Sequence, residues 1–440
     1  MTASIRHRRR NRLGRLGRST PQSPLATAVL AGLVCVGCAP GDEGDPSAGG
    51  SDETATAGED APRLGACFLP TNIDQADLEA AYQIWKDDLV TTEGAGGFRR
   101  VRRPDTPDGP PNSTVSEGIA YGMLMAVYMD DQPLFDDLWQ YSQLWVNHHG
   151  LMMWEIDPTG TQACPRLDPE LNCGASTDSD EDIAWALLVA ERTWGGQGSL
   201  DEPYGVLARR QIETIFEWEV DHAFSVLKPG DSWGGYTQTN PSYFAPAYYR
   251  VFGEVTDNVE GWQAVIDTSY QVIENSLSET NGNIDNGLVP AWCDFEGTPR
   301  PPMPHDPTQI PDDNWQYDSA RIPFRIGQDW CDHEEPRAKA YLDRINGFYT
   351  GIGVDDIVDG YALDGTPQPD ERSANPGDSA VFIGCAGVGA MADPEHQAFV
   401  ERAYERVAGL DLLTRSRYYQ RSWTVLSLLM MSGRITTNLP

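Results

Sequence analysis

The chain has 440 residues, with 66 acidic side chains against 32 basic ones and a formal net charge of −34. So acidic a surface repels phosphate backbones and anionic lipid headgroups, which excludes a nucleic-acid partner and leaves neutral or cationic ligands. No P-loop, dinucleotide fingerprint, HExxH or nucleophile elbow occurs, so nucleotide, zinc-protease and serine-hydrolase chemistry are set aside.

The first 38 residues read as a targeting segment. Seven arginines lie between Arg6 and Arg18, and the apolar run Leu25–Val36 leads into Val36-Gly37-Cys38. A run this short with a basic flank is a signal peptide rather than a membrane span. Either Cys38 is a lipidated first residue, as in a bacterial lipoprotein, or ordinary signal cleavage occurs nearby. Both alternatives give an exported protein, secreted or held at the cell surface or outer membrane, touching membrane only through a lipidated N-terminus. Loss of the leader arginines takes the mature charge to about −41. Residues 39–66 are Gly, Asp, Glu, Ser, Thr and Ala with little to bury, and read as an acidic flexible tether. Residues 67–436 then form one large domain, expected to be monomeric. Its six cysteines, Cys67, Cys164, Cys173, Cys293, Cys331 and Cys385, are an even number without a CxxC, and Cys164 with Cys173 is the most plausible local disulfide.

Apolar residues at helical spacing predict about a dozen helices and little strand. They fall near 75–91, 116–129, 133–147, 180–194, 203–219, 241–252, 258–278, 319–330, 335–349, 376–391, 394–407 and 417–431. The segments at 116–129, 180–194, 376–391 and 417–431 are apolar nearly all round, as buried helices are, whereas 75–91 and 394–407 are amphipathic. Buried and half-exposed helices in alternation predict an all-α fold of two concentric rings. Long loops at 94–115, 150–179, 228–240, 281–317 and 350–375 all precede inner helices, so they should gather at one end and shape a cleft.

Three carboxylate motifs open inner helices. In Thr114-Val-Ser-Glu-Gly-Ile-Ala-Tyr121, Ser116 and Thr114 are possible caps and Glu117 falls in the first turn, either complementing the helix dipole or facing the cleft. In Ser176-Thr-Asp-Ser-Asp-Glu-Asp182 the aspartates alternate, but Ile183 and Val189 break the calcium-loop pattern. One aspartate could cap the helix with the others in solvent, although three acids exceed what a cap requires. In Tyr317-Asp-Ser-Ala-Arg321, Asp318 lies near Arg321 and Arg325, either a structural ion pair or a carboxylate held ionised for use as a base. Trp154, Trp233 and Tyr243 sit in or beside the loops, where flat rings can stack on sugars.

These motifs, in order with Asn240-Pro-Ser-Tyr-Phe-Ala-Pro246, resemble glycoside hydrolase family 8 over about residues 67–434. The resemblance implies an (α/α)6 barrel and an inverting endo-hydrolase of β-1,4-linked polysaccharide that needs no cofactor or metal. Cellulose or mixed-linkage β-glucan is the first expectation for substrate, xylan or chitosan the second. A surface glycan-binding lipoprotein without catalysis is the alternative of another class. Carried over by position, the resemblance makes Glu117 the general acid, Asp318 the general base, Asp178 the residue that holds and distorts the central sugar, and Tyr243 the partner of the nucleophilic water. Trp154, Trp233, Arg321 and Tyr121 are then expected at substrate. Ser176, Ser179, Ile119-Ala120 and Phe324 depart from the family pattern, which bears on subsite shape and removes no reacting group. An inverting pair should stand roughly 6.5–9.5 Å apart, and Glu117 should hold its proton through burial or the charge of Asp178.

Overall fold

The protein is described from a computed structural model, covering residues 61–106, 109–166, 173–301, 313–368, 378–410 and 417–437. The leader, Cys38 and most of the tether lie outside the described residues. Residues 61–66, assigned to the tether from composition, belong to the folded domain. There β1 (Arg63–Leu64) pairs antiparallel with β2 (Cys67–Phe68), and Leu69 N donates to the Pro62 carbonyl.

Among the described residues twelve helices follow: α1 (Gln75–Leu89), α2 (Ser116–Tyr128), α3 (Gln132–Gln143), α4 (Thr177–Thr193), α5 (Tyr204–Glu219), α6 (Pro246–Val255), α7 (Val259–Ser276), α8 (Ile322–His333), α9 (Pro336–Ile352), α10 (Ala380–Ala390), α11 (Gln397–Ala408) and α12 (Arg417–Met431). They form an (α/α)6 barrel. The even-numbered helices make the inner ring: α2 packs on α4, α6 on α8, α8 on α10, α10 on α12, and α12 closes on α2. Side chains bridge the α4–α6 seam, where Trp185 stacks on Tyr248 at 4.6 Å and Tyr249 OH donates to Glu181. The odd-numbered helices lie outside. Each buries one stripe, as α1 does with Leu78, Tyr82, Trp85 and Leu89, spaced to return to the same face.

Helix α10 has no polar face because every residue in it is buried. Its glycines allow neighbours to press close: a Cβ on Gly384 would lie 2.1 Å from Ser427 Oγ on α12. The close approach outweighs the ~1 kcal/mol a helical glycine costs. Two starts fall later than expected. Pro241–Tyr243 form a 3₁₀ turn with α6 beginning at Pro246, and Ser319–Arg321 form another before α8. Proline supplies no N–H, so it suits a first helical turn.

Short strands brace the loop end of the barrel: β3 (Val90–Thr91) with β4 (Arg100–Val101), β5 (Thr114–Val115) with β6 (Glu155–Ile156), and β7 (Val220–Asp221) with β8 (Val226–Leu227). The Cys164–Cys173 disulfide is present as expected. A second, Cys67–Cys331, ties the start of the domain to α8 across 264 residues, a closure worth about 5.5 kcal/mol in the chain-entropy account. Cys293 and Cys385 are free and buried.

Candidate active site

The first turns of the inner helices converge on one guanidinium. Arg321, only 2% exposed, donates from Nη1 to Glu117 Oε2 (2.9 Å) and Asp178 Oδ2 (3.0 Å), and from Nη2 to Asp318 Oδ1 (3.1 Å). It also reaches Tyr121 OH at 3.2 Å and Ser242 Oγ at 2.8 Å. Glu117 comes from α2, Asp178 from α4, Ser242 from the turn before α6, and Asp318 with Arg321 from the turn before α8. Since Glu117 and Asp318 sit on adjacent nitrogens of one planar fork, their nearest oxygens are within about 8 Å of each other.

Thr114 and Ser116 do not cap α2. The N-cap position is Val115, without a side-chain cap bond. Thr114 Oγ1 instead donates to the Val101 carbonyl and accepts from Arg100, and Ser116 Oγ bonds Ser179 Oγ at 2.9 Å. These bonds lock β5 to β4 and α2 to α4, fixing the turn that carries Glu117.

Burial pushes the Glu117 carboxyl up to about 7. The charge of Arg321 opposes the shift, Asp178 and then Asp318 reinforce it, and the hydrogen bond from Tyr418 OH opposes it. Burial thus outranks Asp178 in raising the pKa. The side chain keeps 21% of its surface open to the cleft, so it can reach a ligand. Tyr418, in the first turn of α12, donates to Glu117 Oε1 at 2.6 Å. A phenol can turn to accept as well as donate, so Tyr418 can partner either protonation state of Glu117.

Asp318 is the more open carboxylate, 31% exposed. Its Oδ2 accepts from Trp292 Nε1 and Gln316 Nε2, each at 3.2 Å, while its own N–H donates to Gln316 Oε1. Both oxygens are held, so the carboxylate has one orientation. Tyr243 lies beneath, with the Arg321 guanidinium 5.4 Å from its ring centre. Burial, and then the charges of Asp178 and Asp318, hold its phenol far above the ordinary value, so it remains a donor.

Asp178 Oδ1 accepts from Ser176 Oγ (2.7 Å) and Ser179 N (2.9 Å), leaving Oδ2 for Arg321. The other acids of that run do not face solvent, contrary to one of the alternatives above. Asp180 is buried and accepts from Gln211, and Asp182 is buried in a two-bond pair with Arg325.

Among the expected substrate contacts, Trp233 is 40% exposed and stacks on Trp292 at 5.6 Å, while Trp154 is half-buried. The Trp154 carbonyl accepts from Ser116 N, one residue from Glu117, and Arg166 lies over its ring at 5.5 Å. Buried Glu155 binds Arg166 and Arg103, bracing that ring from behind. Tyr121 and Arg321 are both sealed beneath the carboxylates. Sequence reasoning missed Tyr418, Trp292, Gln316 and Ser242. Tyr418 alone carried a signal, since it occupies the first turn of an inner helix as Glu117 and Asp178 do.

A barrel whose cleft sets a proton-holding carboxyl beside two further carboxylates, one of them bonded to Trp292 with the exposed Trp233 ring stacked on it, is that of a glycoside hydrolase. The chain belongs to the glycosyl hydrolases family 8, whose model matches residues 66–433. It is 37% identical to Endoglucanase A of Acetivibrio thermocellus over 359 residues, 81% of this chain and 69% of that one. It is 28% identical to the Beta-glucanase of Niallia circulans, over 83% of this chain and 87% of that one. The apo structure of a beta-1,3-1,4-glucanase from Paenibacillus sp. X4 superposes with a TM-score of 0.72 at 27% identity, covering 84% of this chain and 95% of that one.

Proposed function

We propose that the protein is an inverting endo-β-1,4-glucanase acting on cellulose or mixed-linkage β-glucan. The observation that carries this reading is the placement of Glu117 and Asp318 on one buried guanidinium, the first with its pKa at about 7 and the second open to the cleft. Glu117 gives its proton to the glycosidic oxygen as the bond to C1 breaks. Asp318 takes a proton from water, whose oxygen bonds C1 from the opposite face. The leaving sugar departs as an alcohol, the new hemiacetal has inverted configuration, and Glu117 ends ionised with Asp318 protonated. Arg321 stays buried through the cycle and offsets whichever carboxylate carries charge. Asp178 holds the central sugar, and the Tyr243 hydroxyl orients the water.

The β-glucan preference rests on the endoglucanase and beta-glucanase relatives together with the stacked Trp233 and Trp292. Reducing-sugar release from carboxymethylcellulose, lichenan, xylan and chitosan, measured side by side, tests it. Release chiefly from the first two is expected, whereas dominance of xylan or chitosan would move the substrate to that polymer.

The protein is further proposed to be exported and monomeric, with residues 1–38 as leader, an acidic tether after it and Cys38 lipidated. Two disulfides in the domain suit an oxidising compartment. Metabolic labelling with a fatty acid, against a Cys38→Ser variant, distinguishes lipidation from simple secretion.

A further inference from the structure

We infer that a second carbohydrate-binding surface, built by Phe224, Tyr236 and Phe295, continues outward from the Trp233–Trp292 pair and holds a β-glucan chain beyond the catalytic cleft. This rests on the β-glucan reading above.

Among the described residues the exposed large aromatic side chains are Trp218, Phe224 and Trp233, drawn from one stretch of sequence. Phe224 is 46% exposed at the tip of the β7–β8 hairpin. Its ring centre lies 4.2 Å from that of Tyr236 and 6.4 Å from that of Phe295. Tyr236 and Phe295 stack at 5.4 Å with 24° between their planes. Three residues earlier in each of the same two loops, Trp233 and Trp292 stack at 21°, and Trp292 Nε1 reaches Asp318. Rings from the two loops are therefore paired twice, once beside the catalytic carboxylate and once at the rim.

The rim group is built rather than incidental. Asp221 Oδ1 accepts from Ala223 N and Oδ2 from Tyr236 N, pinning the hairpin tip to the 228–240 loop. Gly235, at φ +106°, permits that approach, because a Cβ there would lie 2.6 Å from Asp221 Oδ2. Phe295 N donates to the Tyr236 carbonyl at 3.0 Å, fixing the third loop. Tyr236 OH donates to exposed Glu296, which leaves a carboxylate acceptor at the edge of the rings. The exposed ring of Phe224, backed by Tyr236 and beside a polar acceptor, matches a neutral sugar, which offers a C–H face to the ring and hydroxyls to the carboxylate. The charge of −34 argues against an anionic ligand on the same surface.

The test compares wild type, Phe224→Ala and Phe224→Ala/Tyr236→Ala by retention in native gels containing lichenan, and by kcat/KM on cellopentaose. The double variant is expected to bind lichenan about five- to tenfold more weakly, with oligosaccharide kcat/KM within about twofold of wild type. Unchanged retention overturns the second surface, and so does an equal loss on the short substrate, which would place these rings in the catalytic cleft. A wild-type dimer that Phe224→Ala converts to monomer in gel filtration would also overturn it, by making the patch a contact between copies. A wild type that neither binds nor cleaves lichenan would instead overturn the β-glucan reading itself.

Discussion

Asp178 and Asp180 stand two residues apart at the start of α4, in very different company. Asp178 shares the Arg321 guanidinium with Glu117 and Asp318. Asp180 accepts from Gln211 and, among the described residues, has no ion pair with a cation. Burial, then the nearby charges of Glu219, Asp231 and Asp178, drive its pKa well above the carboxylate range. Glu219, fully buried at the end of α5, is pushed up to about 8, chiefly by burial. Where a cation stands at the centre, several carboxylates share one cleft, and one of them, Glu117, is still pushed up to about 7 by burial. Where none does, the proton itself neutralises the group. The first arrangement can move protons at neutral pH, and the second fills the wall behind it.

Breaking the Arg321-centred group should have the largest effect. Glu117→Gln and Asp318→Asn should each lower kcat on β-glucan by about 10²–10⁴-fold while leaving binding in lichenan gels intact. Asp180→Asn and Glu219→Gln should lower it by less than about tenfold, a contrast that steady-state kinetics on the four variants would expose.

The wall group should show in stability instead. The folded-state pKa of Glu219 is raised, so its contribution is full below the unfolded value near 4.5 and is lost as pH rises through about 8. Chemical denaturation between pH 5 and 9 should therefore show wild type losing stability by a few kcal/mol, and Glu219→Gln losing less.

A finer test lies in the pH–rate profile. The basic limb of kcat/KM should fall near 7, where Glu117 loses its proton. Tyr418→Phe removes a hydrogen bond that favours the ionised form, so the limb should move up. Asp178→Asn removes a repelling charge, so it should move down, alongside a fall in kcat. An unmoved limb in Asp178→Asn would leave burial alone as the cause. Trp292→Phe keeps a ring against Trp233 but loses the N–H to Asp318, and should cost kcat about three- to tenfold.

The barrel was legible because its evidence is periodic. The nearly all-apolar segments at 116–129, 180–194, 376–391 and 417–431, set between one-faced helices such as Gln75–Leu89, are written into the chain. Glu117, Asp178 and Asp318 stood out as acids opening inner helices and Tyr243 as an aromatic beside a loop, while their roles came only from the resemblance to family 8; the folded chain gathers all four around Arg321. The fates of Asp180 and Asp182 were not legible, since a run of acids looks solvated until its partners arrive: Gln211 31 residues on and Arg325 143 residues on. Trp292 was hidden for the same reason. Its loop has no local pattern, and only the folded chain brings its indole to Asp318 and Trp233. The order of causes on Glu117 was equally out of reach, because burial is a property of the assembled cleft.

The stereochemistry of the product tests the pairing of Glu117 with Asp318 most directly. Proton NMR of the anomeric signals during the first minutes of lichenan or cellopentaose hydrolysis should show the α-anomer appearing first and mutarotating toward the β-anomer. First appearance of the β-anomer would mean retention, and would contradict the assignment of Glu117 and Asp318 as an acid and base acting across one water.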